Sequence, residues 1–256
     1  MNRISVRVNC PGCFAWILWW SLALGFSAEQ AWVPGITEPV LDVTMSSPVI
    51  GIIGARLFDE GAFVKKGQVI IELDKRIEEI EVSRRKLIRD LAKTELDRVK
   101  SLAARSAISI SREELDKRDG EYRVASVEQE LSEENLRRRF LAAPFDGSIA
   151  EFYFEVGEGC EMGQAVMRVV DTRRCYFVAN VESGAGHVLI EGSQVSLEIE
   201  AGASTATFTG KIKYISPVVD PASGLLKVKV VFENPDGKIR PGVAGRMLLK
   251  ETPNAR

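Results

Sequence analysis

Residues 46–74, SSPVIGIIGARLFDEGAFVKKGQVIIELD, have a counterpart in residues 142–170, AAPFDGSIAEFYFEVGEGCEMGQAVMRVV. At an offset of 96 positions, Pro48, Gly51, Ile53, Phe58, Gly61, Gly67 and Gln68 return as Pro144, Gly147, Ile149, Phe154, Gly157, Gly163 and Gln164. Glycine recurs where tight turns need positive φ, and the alternation in Val69–Leu73 and Ala165–Val169 marks strands between the turns. One small β-module is divided in two, and everything from Lys75 to Phe140 is inserted at its middle.

The insert is charged throughout, lacks proline and has one glycine, Gly120. Such a composition predicts helix. Apolar residues recur at spacings of three, four and five: Ile77, Ile80, Leu87, Leu91, Leu96, Val99 and Leu102, then Leu115, Tyr122, Ala125, Leu131 and Leu136. That is enough for a thin seam between two helices. A break is expected within Ser106–Ser111, where Ser111-Arg112-Glu113-Glu114 offers a capping box with Ser111 bonding the Glu114 amide. The segment then folds back as an antiparallel hairpin reaching about 40–45 Å from its base. Arg137, Arg138 and Arg139 complement the dipole of the returning helix.

After Arg174 the chain reads as all-β, with strands expected at Tyr176–Val181, Val195–Glu200, Thr205–Ile215, Leu225–Glu233 and Val243–Leu249. Strands of this spacing close into a small barrel. The stretch before the first half-module holds Pro34 and Pro39 and reads as irregular until Val40–Thr44, which could pair as a strand.

The first residues combine Arg3 and Arg7, an apolar run from Phe14 to Phe26, and small residues at Gly25, Ser27 and Ala28. This is signal-peptide architecture, with an apolar run too short for a span of about 20 residues. Without the first 28 residues the chain has 32 basic against 36 acidic side chains. That balance argues against nucleic acid as a partner. Cys10-Pro11-Gly12-Cys13 has redox or metal spacing, but it is a single pair inside the leader and reads as chance. Cys160 and Cys175 could bridge in an exported protein. Against this, Cys160 occupies the repeat position of Val64, which suits a small packed hydrophobe.

The two half-modules look like a biotinyl/lipoyl domain. With the hairpin between them, Gly210-Lys211-Ile212-Lys213-Tyr214-Ile215-Ser216-Pro217 through Asp220 and Asn234-Pro235-Asp236-Gly237 through Gly242, the chain resembles the periplasmic adaptor subunits of tripartite efflux pumps, the HlyD-type membrane fusion proteins. The resemblance covers about residues 40–250. It implies a mostly β fold with a long α-helical hairpin: a split biotinyl/lipoyl-like β-sandwich, an antiparallel coiled-coil hairpin and a small antiparallel β-barrel. The chain would divide into a signal peptide (1–28), an N-terminal extension (29–45), half-module one (46–74), hairpin (75–140), half-module two (141–171), barrel (172–250) and tail (251–256).

The resemblance further implies a non-catalytic role linking an inner-membrane transporter, of the resistance-nodulation-division (RND) class, to a TolC-type outer-membrane channel. Several copies would form a ring, trimeric or hexameric, in the periplasm. Adaptors of this kind carry at the hairpin tip an arginine, a leucine four residues on and a serine seven after that, and Arg98, Leu102 and Ser109 have that spacing. The capping acid of the family follows the motif serine by three, whereas here Ser109 is followed by Arg112 and Ser111 by Glu114, so either serine could dock. Longer members also have a membrane-proximal domain, for which the two ends of this chain are too short; the barrel is then the expected contact with the pump.

Two other functions fit parts of the sequence. A structural envelope protein could use the hairpin to bind another coiled coil without a transporter. A biotin or lipoate carrier would need its lysine on the turn that the hairpin has replaced; Lys75 lies at the hairpin base without flanking methionines. No cofactor or metal is expected. His187 lacks an acid–base partner by spacing, and Glu78, Glu79 and Glu81, like Glu133 and Glu134, read as a solvated helix face, so catalysis is not expected either.

Overall fold

The computed structural model describes residues 31–105, 111–186, 189–202 and 204–249. The expected signal peptide, its CxxC pair, Ser109, His187 and the tail lie outside the described residues. Two long strands organise the fold, β1 (Ala31–Ser46) and β8 (Ala165–Glu182). They pair with each other antiparallel over two stretches, Gly35–Pro39 with Cys175–Ala179 and Leu41–Ser46 with Ala165–Asp171. The register shifts between Pro39 and Leu41, so β1 bends where one module gives way to the next.

Above the bend, β1 and β8 close a six-stranded antiparallel barrel in the order β1, β12 (Ala244–Leu249), β9 (Gln194–Ala201), β10 (Ser204–Ile215), β11 (Leu225–Glu233), β8. The stretch read as an irregular extension is thus the first barrel strand. Pro34 is tolerated because there β1 pairs with β12 alone, the pairing with β8 beginning at Gly35, and Pro39 because it sits beside a bulge, so that a missing N–H costs least at both. Phe177 is fully buried in the barrel core with Leu197, Ile199, Val228, Val230 and Met247. Its ring occupies space left by Gly35 and Gly245, which face each other across β1 and β12. A Cβ on Gly35 would stand 2.4 Å from the Val178 carbonyl and 2.6 Å from the Phe177 ring.

Below the bend, β1 and β8 continue into a sandwich. One layer adds β6 (Gly147–Phe152) and β3 (Phe63–Val64) to β8; the other has the order β5 (Phe140–Ala142), β4 (Val69–Leu73), β2 (Gly51–Arg56), β7 (Gly159–Cys160). Both layers combine strands of the two half-modules: β3 of the first flanks β6 and β8 of the second, and β5 and β7 of the second flank β4 and β2 of the first. The core between them is Ile53, Val64, Ile70, Ile71, Leu73, Leu141, Ile149, Val166, Met167 and Val169. Equivalent residues are equivalently buried: Val64 at 0% and Cys160 at 2% exposure. Cys160 belongs to the sandwich core and Cys175 to the barrel core, and both are free thiols. Burial first raises the Cys175 thiol, to about 11, so it stays protonated and packs as a hydrophobe.

The fold class expected from sequence is the observed one, mostly β with a long helical hairpin. At the joint, Asp171 accepts from Arg173 Nε at 2.9 Å, and Asn234 Nδ2 donates to the Thr172 and Ile239 carbonyls at 2.9 and 2.8 Å. These bonds satisfy polar groups where two apolar cores meet.

Candidate docking surfaces of the hairpin

Helix α1 (Arg76–Arg105) leaves the sandwich after β4 and α2 (Arg112–Arg137) returns to β5. Thirty residues in α1 make a rod about 45 Å long. Ser111 caps α2 as expected, but its hydroxyl accepts from the Glu113 amide at 3.2 Å rather than from Glu114, whose amide bonds the Ser111 carbonyl at 3.0 Å.

The seam between the helices holds Leu96 and Val99 of α1 and Leu115, Tyr122, Ala125 and Leu136 of α2, as expected, and differs from the expected one elsewhere. Among the described residues, only Leu96, Ala125 and Ser132 are buried in it. On α1 the less exposed positions include Glu78, Val82, Arg85, Arg89, Ala92, Leu96 and Val99, alternately four and three apart, with Glu81 and Glu95 beside them. Much of this line is polar. Arg85 bonds Glu81 at 2.8 Å within its helix and crosses to Glu128 of α2. Glu81 is held at about 2, first by its bonds to Arg84 and then by those to Arg85, so it remains a carboxylate.

The other large apolar residues of α1 assigned to the seam lie elsewhere. Ile77, Ile80, Leu87 and Leu91 are 79%, 62%, 71% and 66% exposed. They form a second line on α1, continued by Arg84, Arg98 and Leu102, that is rotated roughly 130° from the seam at 100° per residue. Arg98 and Leu102 therefore share the outward line; among the described residues Arg98 reaches only Glu95, at 3.7 Å, and Leu102 is 46% exposed. On α2, Val124, Val127 and Leu131 make another exposed line. The Arg85–Glu128 pair sets the register of the antiparallel helices and brings Val124 and Val127 level with the Leu87–Leu91 stretch.

The base of the rod is clamped to the sandwich. Arg139, just past α2, donates through Nη2 to Glu78 Oε1 at 2.5 Å and through Nη1 to the Ile50 carbonyl at 3.0 Å. Gly51 leaves room for it, since a Cβ there would lie 2.8 Å from Nη1. On the other strand Lys75 Nζ bonds Glu72 at 2.8 Å and stands over the Phe140 ring at 4.6 Å from its centroid. The sequence reading gave Arg139 a dipole role and missed the clamp. Its partners lie 61 and 89 positions away, and only the closed β-module brings them together.

Residues 42–172 match the RND membrane fusion protein barrel-sandwich hybrid domain, and residues 178–253 match the CusB-like β-barrel domain. The chain belongs to the RND membrane fusion protein family. This membrane fusion protein is 26% identical over 234 residues to a solvent efflux pump periplasmic linker of Pseudomonas putida, covering 86% of the chain and 60% of the relative. A toluene efflux pump periplasmic linker of the same species is 26% identical over 234 residues, covering 86% and 59%. An uncharacterised protein of Haemophilus influenzae is 27% identical over 228 residues, covering 86% and 58%. The chain spans about three-fifths of the length of these curated relatives.

Among solved structures, a MacA–MexA chimera carrying the Pseudomonas aeruginosa MexA α-hairpin superposes with a TM-score of 0.77 at 19% identity, over 86% of this chain and 81% of the other. The membrane fusion protein Spr0693 of Streptococcus pneumoniae superposes with a TM-score of 0.69 at 15% identity, over 87% and 100%. At these identities the likeness concerns the fold. Among the described residues, no helix of this membrane fusion protein is long and apolar enough to cross a membrane, and no cluster of three or more His, Cys, Asp or Glu is placed to hold a metal.

Proposed function

We propose that this membrane fusion protein is a non-catalytic periplasmic linker that joins an inner-membrane efflux transporter to a TolC-type outer-membrane channel. The observation that carries the reading is the outward line of α1. A rod with a partly polar seam and larger aliphatic side chains facing out is arranged to be covered by other helices. Arg98 and Leu102 stand at its distal part, where an arginine fork and an apolar knob suit a facing helical bundle; Ser109 completes the motif by spacing. The RND-type family match and the efflux pump linkers among its relatives favour an RND transporter as the inner-membrane partner.

The exposed apolar lines of the two helices also support self-association. The α1 line and the α2 line lie on different sides of the rod at one level, so copies packing α1 on α2 make a heterologous contact, which closes into a ring when the rotation permits. Trimer and hexamer are both compatible with that rule.

The test is a photo-crosslinking residue at Leu102, activated in intact cells. Covalent capture of an outer-membrane channel, with a transporter copurifying from the solubilised membranes, is the expected result. Capture of another coiled-coil protein with no transporter would instead favour a purely structural envelope role.

A further inference from the structure

The outer face of the barrel has a feature that the linker role does not use. Along β10, β11 and β8 the outward residues come into register, with Lys211 opposite Val231 and Val231 opposite Tyr176. The β10–β11 register shifts between Ile212 and Tyr214. Strand alternation leaves Lys211 and Lys213 both exposed on the outer face while Ile212 between them is buried at 1% exposure. Arg174 lies two residues before Tyr176 on the same face of β8 and is also exposed.

These side chains line one cleft of about 470 Å³, walled on one side by Val40 and on the other by the Glu191–Gly192 turn. That turn is fixed by the Gly192 amide, which donates to the Ile212 carbonyl at 2.8 Å. Three cations therefore share a concavity with one carboxylate, Glu191, and among the described residues none of the three forms an ion pair. The neighbouring carboxylate Glu38, opposite Tyr176, does not relieve them, because it is engaged by Lys229 at 3.5 Å. Glu233 is the cross-strand neighbour of Arg174 without bonding it. The whole chain has a net charge of −2, so this is a local positive excess on an acidic protein. Concave low-dielectric walls concentrate such a field, and it is relieved when an anion enters.

We infer that this cleft binds a phosphate group, with the Arg174 guanidinium engaging two oxygens and Lys211 and Lys213 supplying point charges. The phosphate could belong to a soluble ion or to a lipid headgroup. The inference is independent of docking at the hairpin.

Inorganic pyrophosphate titrated calorimetrically into the full chain at low salt should bind. The exposed double variant Lys211→Gln/Lys213→Gln and the single Arg174→Gln should each weaken binding by at least about tenfold, the loss of one charged hydrogen bond, without a change in Tm. The charge-matched control Lys65→Gln/Lys66→Gln, on the sandwich, should bind as wild type. Cosedimentation with phosphatidylglycerol but not phosphatidylcholine vesicles, lost in the cleft variants, would assign the phosphate to a headgroup. Pyrophosphate binding without vesicle binding would assign it to a soluble ion. Absence of binding to either probe, or equal weakening in the control, would overturn the site.

Discussion

The amide of Gly61 donates to the carbonyl of Ile149 at 2.8 Å, and its repeat equivalent, the amide of Gly157, donates to Ile53 at 2.8 Å. Each half-module closes its turn on a strand of the other. The same exchange recurs at Gly67, bonded to Ala143, and Gly163, bonded to Ser47, both at 2.8 Å. Segments far apart in the chain thereby form one body, and that body holds the hairpin between its two halves.

Gly61 has φ of +82° with open space where a Cβ would stand, so substitution is penalised by backbone conformation and not by collision. Gly61→Ala should cost about 1–2 kcal/mol and the β-branched Gly61→Val more. Thermal unfolding of the two variants checks this; a Tm unchanged from wild type in Gly61→Val would contradict it. Gly120 provides the contrast, being helical with nothing near its Cβ position. Gly120→Ala should stabilise α2 by roughly 0.5–1 kcal/mol.

Asp171, 3% exposed at the joint of barrel and sandwich, is held below the usual carboxylate range, chiefly by its side-chain bond to Arg173. A depressed folded pKa gives stability that is present above the unfolded value and withdrawn as pH falls through the folded one. Asp171→Asn should therefore cost about 1 kcal/mol at neutral pH, less than a fully buried charged hydrogen bond because Arg173 is half exposed. The gap between variant and wild type should shrink on acidification below the ordinary aspartate range. Denaturant unfolding at a series of pH values reads it, and a gap that stays constant would contradict the assignment.

Arg139 should fix the angle of the rod rather than the fold of the sandwich. Spin labels at Lys100 and Lys238 would report this as a distance distribution. Arg139→Gln should broaden it, and Arg138→Gln should not, since Arg138 is 53% exposed and reaches only Glu134 at 3.8 Å. Equal widths in the two variants would remove the clamp from the account.

Much of the β architecture was legible because its signals are local. Turn glycines repeat at a fixed offset, and alternation marks β9, β10 and β11 to within a residue or so. The part of the N-terminal strand before Val40 was missed because Pro34 and Pro39 suppress a local strand signal, while the pairing that makes β1 comes from β8 and β12, far along the chain. In the hairpin, spacing identified helix but not which of two lines, about one residue out of phase, faces the partner. Hydrophobicity alone selects Ile77, Ile80, Leu87 and Leu91, yet the helices meet along Arg85, Arg89, Ala92 and Leu96. The error is itself informative, since it locates apolar surface that the monomer does not use.

Efflux in cells carrying Leu102→Asp is the most direct measurement. Leu102 is 46% exposed, so the aspartate costs the monomer little, and Tm should be unchanged. Buried at the junction with a channel, the same charge costs several kcal/mol, and tolerance to exported compounds should collapse. Full tolerance in cells that make normal amounts of the folded variant would contradict docking through the outward line of α1.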